Sequence, residues 1–131
     1  MAAIHPNVRV LLVESDEVNI FVMEKMIGKQ FHLTVARNGV EALHFAHKKN
    51  FDLILTEIRL DHSMDGTEVM EELRKDSMYE SAEIWAITGV GLPEDEEYYK
   101  NLGFDQFFQK PTDHNSIIDS IKEALPELVQ A

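Results

Sequence analysis

Residues 51–66, with the sequence FDLILTEIRLDHSMDG, carry the strongest structural signal in the chain. The apolar residues Leu53, Ile54 and Leu55 follow one another without alternation, which is typical of a strand buried on both faces of a parallel sheet. Glu57 ends this run and a polar loop follows it. Because open parallel sheets bind ligands beyond the carboxyl ends of their strands, Glu57 is predicted to lie at the functional edge of the sheet.

Strand and helix patterns alternate along the whole chain. Strands are predicted at residues 8–13, 31–36, 84–88 and 104–109, with the central strand within residues 51–57. Helices are predicted after residue 16, after Asn38-Gly39, at residues 67–75, at residues 93–101 and at residues 115–125. This alternation favours a doubly wound α/β fold. With 131 residues the chain is expected to form a single domain whose core spans about residues 8–125.

Apolar residues recur at helical spacing in four of the predicted helices, so that one face of each is expected to pack on the sheet. These residues are Val18, Phe21, Val22, Met26 and Ile27 in the first helix, Val40, Leu43, Phe45 and Ala46 in the second, Val69, Met70 and Leu73 in the third, and Ile117, Ile118, Ile121 and Leu125 in the fifth. Ser15 or Asp16 is expected to cap the first helix, and Pro93 to begin the fourth.

The composition restricts the partners that the chain can bind. With 24 acidic and 12 basic residues, its formal charge is −12, which repels nucleic acids and anionic membranes unless basic residues cluster. The basic pairs at residues 48–49 and 74–75 are expected to be solvated helix ends. The apolar run at residues 8–13 is too short to span a bilayer. We therefore expect an intracellular protein that binds neither nucleic acid nor membrane. A monomer is expected as well.

Acidic residues follow the first and third strands, a threonine ends the fourth, and Lys110-Pro111 follows the fifth. With the segments LLVESDEVN, NGVEAL, FDLILTEI, MDG, AIT and GFDQFFQKP, this pattern resembles the receiver domain of two-component response regulators over nearly the whole chain. The resemblance implies a flavodoxin-like (βα)5 fold, a doubly wound parallel sheet with strand order 2-1-3-4-5.

In that family, an aspartate after the third strand accepts a phosphoryl group from a phosphohistidine while Mg²⁺ neutralises the phosphate oxygens. The resemblance places Glu57 at the position of this aspartate, and Glu14 and Ser15 at those of two acids that help to hold the metal. Thr88 and Lys110 take the positions that bind the acyl phosphate.

Phe107 takes the position of an aromatic residue that responds to phosphorylation in the family. A phenylalanine in a strand is more often packed in the core, because it lacks the hydroxyl group that makes tyrosine stable at a half-exposed position. Packing is therefore the expected role of Phe107, with a moving switch as the alternative.

Two of the three acidic positions of the family pattern have changed. Ser15 supplies no anionic ligand, and Asp16 is expected to cap a helix instead. The added methylene group of Glu57 moves its carboxylate by about 1.5 Å, and a misplacement of about 1 Å can cost a hundredfold in rate when catalysis depends on positioning. Phosphorylation is therefore expected to be slow or absent, with no catalytic residue, metal or cofactor.

The longer side chain of Glu57 is expected to reach Lys110 and to form an ion pair that fixes the pocket. Such a pair imitates the phosphorylated state only in part, because one charge replaces the roughly −1.5 to −2 of a phosphoryl group. The alternative is a relic carboxylate, solvated and without effect. Plant pseudo-response regulators are similar here, since they also carry Glu in an LTE run.

The sequence thus predicts a stand-alone pseudo-receiver of a two-component phosphorelay, located in the cytoplasm, with the nucleus as a second location. It is expected to act by protein–protein interaction rather than as an enzyme, with a histidine-containing phosphotransfer protein or a sensor kinase as partner. In receivers, the face built from the fourth helix, fifth strand and fifth helix binds partners. The alternative is a degenerate but working response regulator that binds Mg²⁺ weakly and accepts phosphate.

A nucleotide-binding or flavin-binding enzyme on the same fold is a further class. It requires glycines after the first strand, whose amides hold phosphate. Residues 13–16 read VESD and present carboxylates instead, which argues against this class.

Overall fold

Five parallel strands form the centre of the molecule. The computed structural model describes residues 3–60, 64–89, 93–110 and 113–129. The strands are β1 (His5–Val13), β2 (Phe31–Ala36), β3 (Leu53–Thr56), β4 (Glu83–Thr88) and β5 (Gln106–Gln109). They pair in the order β2-β1-β3-β4-β5. The predicted flavodoxin-like topology is therefore confirmed.

Helices follow the strands in alternation. They are α1 (Glu17–Met26), α2 (Gly39–Lys48), α3 (Gly66–Arg74), α4 (Glu96–Leu102), α5 (His114–Ala124) and α6 (Pro126–Val129), with 3-10 turns at Ser77–Tyr79 and Pro93–Asp95. The side chains of Asp16, Asn38, Asp65 and Asp113 cap α1, α2, α3 and α5 by accepting hydrogen bonds from backbone amides. In the described part of the chain, no helix is long and apolar enough to cross a membrane.

Three predicted boundaries differ from the structure by two residues or more. Pro93 begins a 3-10 turn rather than the fourth helix, and α4 starts at Glu96, directly after that turn. The fifth strand is Gln106–Gln109, which begins two residues inside the predicted range 104–109, and just before it the carboxylate of Asp105 accepts from the amide of Ile84 at 2.9 Å. The first strand begins at His5, three residues earlier than predicted.

Two apolar layers enclose the sheet, one on each side. Leu53 and Leu55 pack with residues of α1 and α5, whereas Ile54 packs on the opposite side with residues of α2 and α3. All three side chains are fully buried. The prediction that the central strand is covered on both faces is therefore confirmed, and it explains why this strand lacks alternation.

The prediction for the packed face of α1 is confirmed for Met26 and Ile27, which are buried, and wrong for its other three residues. Val18, Phe21 and Val22 are exposed, and Ile20 and Met23 face the sheet instead. Both sets recur at helical spacing, so α1 carries two apolar stripes and its periodicity does not show which of them is buried. In α2, Ala46 is buried as predicted, whereas Val40 is exposed and Ala42, which was not predicted, is buried instead. The predicted inward residues of α3 are confirmed.

Arg74 is not the solvated helix end that the sequence predicts. Its guanidinium group donates hydrogen bonds to the carbonyl oxygens of Tyr79, Ala82 and Gly103, and pairs with the carboxylate of Asp105 at 2.9 Å. These acceptors lie in the segments that precede β4 and β5. Arg74 therefore ties the end of α3 to the beginnings of two strands.

Gly66, at the start of α3, lies very close to the backbone of residues 57–58, just after β3. The amide of Gly66 donates to the carbonyl oxygen of Ile58 at 2.7 Å. A Cβ atom on Gly66 would lie 2.0 Å from the carbonyl oxygen of Glu57, a distance that no side chain can occupy. Glycine at this position is therefore what allows the loop to close behind Glu57.

Replacing Gly66 by alanine tests this close approach. Alanine is normally better than glycine in a helix, yet here we expect Gly66→Ala to lower the free energy of unfolding by more than about 2 kcal/mol because the new methyl group displaces backbone. Gly89→Ala is the matched control, since its nearest new contacts lie 3.9 Å away. It should change the free energy by less than about 0.5 kcal/mol. Urea unfolding measures both, and equal effects would contradict the interpretation.

Candidate functional site

Four predicted site residues lie together at the carboxyl edge of the sheet. Glu14 follows β1, Glu57 follows β3, Thr88 ends β4 and Lys110 follows β5. Backbone hydrogen bonds hold the first residues of the loops, because the amide of Glu57 donates to Val13 O and that of Lys110 to Thr88 O, both at 2.9 Å. The backbone hydrogen bonds of the sheet therefore fix the positions from which these side chains extend.

The ammonium group of Lys110 lies between two carboxylates. It donates to Oε1 of Glu57 at 2.9 Å and also to Oε1 of Glu14. Glu14 is 2% exposed and Glu57 is 7% exposed. The expected contact of Glu57 with Lys110 is thus present, and the alternative of a solvated carboxylate at Glu57 is wrong. The contact with Glu14 has no counterpart among the sequence predictions.

Backbone amides bind the remaining carboxylate oxygens. Oε2 of Glu57 accepts from the amides of Ile58 at 2.7 Å and Arg59 at 3.3 Å. Oε2 of Glu14 accepts in the same way from the amides of the two residues that follow it, at 3.1 and 3.2 Å. Each buried carboxylate therefore has donors on both oxygens, which fixes its orientation and offsets the cost of burying its charge.

The pocket affects the ionisation of Lys110 in two opposing ways. Burial is the largest single influence and lowers the pKa, but the hydrogen bonds and charges of Glu14 and Glu57 together raise it further. The net effect is a pKa above the ordinary value of 10.5. Lys110 is therefore a permanent cation at neutral pH.

Ser15 and Asp16 do not complete a cation site. The carboxylate Oδ2 of Asp16 accepts from the amide of Asn19 at 2.9 Å, so Asp16 caps α1 as predicted, and Ser15 carries no charge. Mg²⁺ requires oxygen ligands in octahedral geometry at about 2.0–2.1 Å. Here one carboxylate oxygen of Glu14 and one of Glu57 converge on the ammonium group of Lys110. Among the described residues, no group of three or more His, Asp or Glu is placed to hold a metal ion. The residues of this pocket therefore do not fit Mg²⁺.

Phe107 is packed next to the pocket. It is buried, and its ring stacks on that of Tyr99 with a centroid distance of 5.3 Å and an interplanar angle of 5°. The prediction that Phe107 packs in the core is confirmed. Tyr99 belongs to α4, and burial raises the pKa of its hydroxyl group. The stacked pair joins β5 to α4.

Sequence reasoning missed the part that Glu14 takes in the ion pairs. In the strand order of this sheet, β4 separates β5 from β3, and β1 lies beyond β3. With strands about 4.8 Å apart, only a long side chain on β5 can reach across to them. Lysine opposite two glutamates meets this requirement. The strand order and the lengths of these three side chains were the signal from which the contact of Lys110 with Glu14 could have been predicted.

Comparisons with known proteins agree with this architecture. The sequence matches the family model described as response regulator receiver domain over residues 10–122. It is 32% identical over 117 residues to the polar-differentiation response regulator DivK of Brucella anthropi, covering 88% of this chain and 94% of DivK. It is also 32% identical over 116 residues to the probable transcriptional regulator ycf29 of Porphyra purpurea, covering 88% of this chain and 55% of that protein. The chain thus spans about half the length of the ycf29 relative.

A solved structure with the same fold contains a metal ion. This is the receiver domain of a sensor histidine kinase from Pseudomonas aeruginosa PAO1, which has a magnesium ion coordinated in its active-site cleft. The two chains superpose with a TM-score of 0.79 at 27% identity, over 88% of this chain and 94% of the other.

Replacing Lys110 by methionine should leave two buried carboxylates without their cation. We expect a loss of about 3–5 kcal/mol in the free energy of unfolding at neutral pH. Because the pKa of Lys110 is higher in the folded chain than its ordinary value of 10.5, its contribution is fully present below pH 10.5 and is lost as the pH rises through the folded pKa. The difference between wild type and variant should therefore shrink above pH 10.5.

Urea unfolding of both proteins across this pH range measures the difference, and the ionisation of tyrosines cancels in it. Lys100→Met is the matched control, because Lys100 pairs with Glu96 at 2.7 Å on the exposed surface of α4. Exposed pairs contribute about 0–1 kcal/mol. A loss in Lys110→Met no larger than in the control would show that the buried ion pairs do not stabilise the pocket.

Proposed function

Because the chain belongs to the response regulator receiver domain family, we propose that it is a pseudo-receiver of a two-component phosphorelay. In this proposal Glu57 stands at the phosphoacceptor position, phosphorylation has been lost and no cofactor is needed. The chain acts by binding another signalling protein rather than as an enzyme.

The state of the Glu57 carboxylate carries the proposal. A phosphoacceptor must present an oxygen to the incoming phosphorus atom in line with the leaving group. Here one oxygen of Glu57 binds Lys110 and the other binds the amides of Ile58 and Arg59. The longer side chain turns back on its own loop, and this geometry supports a structural role for the carboxylate.

The charge of the pocket supports the same conclusion. Phosphoryl transfer needs cationic groups that neutralise the developing charge on the phosphate oxygens. In this chain the cation of Lys110 is already neutralised by Glu14 and Glu57, both buried beside it. A bound phosphoryl group would therefore meet a net negative pocket.

In this proposal the fixed ion pairs give Glu57 a function of its own. A switching receiver changes its surface when it gains a phosphoryl group, whereas this pocket holds one arrangement through its own side chains. The carboxylate imitates a phosphorylated state only in part, because it carries one charge and two oxygens. We propose that partners recognise this single, fixed state.

The proposed partner is a protein of the same phosphorelay, either a histidine-containing phosphotransfer protein or a sensor kinase. The family match supports this class, as does the likeness to DivK and to the receiver domain of a sensor histidine kinase. The formal charge of −12 supports a monomer that avoids nucleic acids and membranes.

A second candidate is a degenerate but working response regulator. Glu14, Thr88 and Lys110 lie at the carboxyl edge of the sheet where the family binds phosphate and metal, and this placement favours the candidate. It requires that Mg²⁺ displace Lys110 from the carboxylates and that Glu57 turn outward.

Incubation with acetyl phosphate and Mg²⁺ separates the two candidates. We expect the double variant Ser15→Asp with Glu57→Asp to acquire acyl phosphate at least about a hundredfold faster than the wild type, because it restores the shorter nucleophile and the missing metal ligand. Intact-protein mass measurement, with and without hydroxylamine, detects the acyl phosphate.

Glu57→Gln in the wild-type background controls for labelling elsewhere, since it keeps the side-chain length and lacks the nucleophilic oxygen. If the wild type is labelled and Glu57→Gln is not, the proposal is overturned and the chain is a working regulator. The backbone amide shifts of Ser15 and Ile58 during Mg²⁺ titration provide an independent measurement of metal binding. A saturable response of the wild type at millimolar Mg²⁺ would also support the working regulator.

A further inference from the structure

Strand β2 forms one edge of the sheet. Among the described strands it pairs with β1 alone, so the backbone groups on its outer side have no partner strand. Natural edge strands are commonly protected against further pairing by charged residues, by proline or by short length. β2 runs over six residues, FHLTVA, which include no Asp, Glu, Lys, Arg or Pro. This edge therefore lacks the usual protection.

The opposite edge, β5, has the protection that β2 lacks. It is four residues long, Gln106–Gln109, and lies between two charged residues, Asp105 and Lys110. Pro111 comes next in the sequence and cannot donate a hydrogen bond to a further strand. Of the two edges, β2 is thus the one that is suited to receive another strand.

Basic residues are concentrated in the part of the chain that surrounds β2. Residues 25–50 contain five of the 12 basic residues but one of the 24 acidic residues. One of the five, Arg37, is paired with Glu17. The other four are exposed at or just beyond the carboxyl-terminal ends of α1 and α2, and they are Lys25, Lys29, Lys48 and Lys49.

The two helices place these lysines on both sides of the edge strand. α1 packs with Phe31 on one face of the sheet, and α2 packs with Ala36 on the other face. The amino-terminal half of β2 is therefore flanked by cations, in a chain whose overall charge is −12.

A groove lies between the end of α1 and the first half of β2. Its volume is about 710 Å³, and its walls include the apolar side chains of Ile4 and Leu33 together with Glu24, Lys25 and Lys29. Ile4 is 63% exposed, although its amide donates to the carbonyl oxygen of Lys29 at 3.3 Å. The groove is thus apolar at two side chains and carries two cations against one anion.

We propose that the β2 edge, defined as Phe31–Ala36 with this groove, binds an extended acidic segment of a partner protein as a sixth strand. Backbone hydrogen bonds along the edge supply the pairing. Alternate side chains of the segment point to one face, where apolar ones enter the groove beside Ile4 and Leu33. Its carboxylates are attracted to Lys25 and Lys29. The proposal goes beyond the proposed function and rests on it only in that the chain acts by binding.

A second copy of the chain is a poor occupant of the β2 edge. Pairing of β2 with β2 would bring the lysines of two copies together, and like charges across an interface oppose association. An acidic segment of another protein has the complementary charge instead. Nucleic acid also carries negative charge, but the net charge of −12 opposes its approach.

The probe is a synthetic peptide of eight residues in which valine and glutamate alternate. A second peptide carries lysine in place of glutamate, and a third is the acidic peptide with alternate backbone amides N-methylated, which blocks strand pairing. Calorimetry measures the affinity, and backbone amide shifts locate the binding surface. We expect the acidic peptide to shift the amides of residues 31–36, and the N-methylated peptide to bind at least about tenfold more weakly.

Substitutions on the groove test the role of its side chains. Lys25→Glu and Lys29→Glu should each weaken the acidic peptide at least about fivefold. Lys75→Glu is the matched control, because it makes the same change in net charge at the exposed end of α3, and it should leave the affinity within about twofold. Ile4→Ser should weaken binding about threefold, whereas Met78→Ser, at a residue 50% exposed on a 3-10 turn, should not.

Several outcomes overturn the proposal. Equal affinity for the lysine peptide would exclude an acidic partner, and equal affinity for the N-methylated peptide would exclude strand pairing. Unchanged affinity in Lys25→Glu and Lys29→Glu, or no binding of the acidic peptide at millimolar concentration, would exclude the site. A single-stranded oligonucleotide that binds more tightly and is lost in Lys29→Glu would assign the edge to nucleic acid. Self-association in sedimentation that Lys29→Glu abolishes would assign it to a second copy.

The substitutions are at exposed positions, so the thermal unfolding midpoint of each variant should stay within a few degrees of the wild type. The acyl phosphate experiment is independent of the peptide experiment. Labelling of the wild type together with peptide binding at β2 would overturn only the lost phosphorylation. Absence of both labelling and peptide binding would overturn this surface and leave the pseudo-receiver proposal standing.

Discussion

The ammonium group of Lys110 between two buried carboxylates is the interaction on which the rest of the site depends. Glu14 and Glu57 are nearly inaccessible to water, and two negative charges at such a place would repel each other without a cation between them. Lys110 provides that cation from the edge strand β5, across β4. The carboxyl edge of the sheet is therefore held by side chains as well as by the backbone ladder.

This arrangement supports the proposal that the chain acts in one fixed state. A switch needs a group that comes and goes, and the family resemblance implies a phosphoryl group in that role. Here the cation is part of the polypeptide, and the carboxylate of Glu57, which we propose stands in the acceptor position, is already bound by it and by two amides. A pocket filled by its own side chains suits a protein that is recognised in one state.

The surroundings of the pocket restrain the elements that carry its residues. Gly66 allows the loop after β3 to close against the carbonyl oxygen of Glu57, and Phe107 stacks on Tyr99 to join β5 to α4. Arg74 ties the end of α3 to the segments that lead into β4 and β5. Lys110 and Glu57 therefore extend from elements that are themselves restrained, while the apolar face of α1 stays open to solvent.

The sequence alone determined the fold and which residues lie at the carboxyl edge of the sheet. The unbroken apolar run at residues 53–55 and the alternation of strands with helices lead to a parallel doubly wound sheet. The sequence is sufficient for this because the spacing of apolar residues is a local property of the chain. The strand ends then place Glu14, Glu57, Thr88 and Lys110 at one edge. Only the tertiary structure decided which of two apolar stripes on α1 is buried, because both have helical spacing and the choice depends on how the helix docks. Only the tertiary structure showed that Lys110 binds two carboxylates and that Arg74 is bound rather than solvated, because these contacts join residues far apart in the chain whose distances depend on the packed sheet.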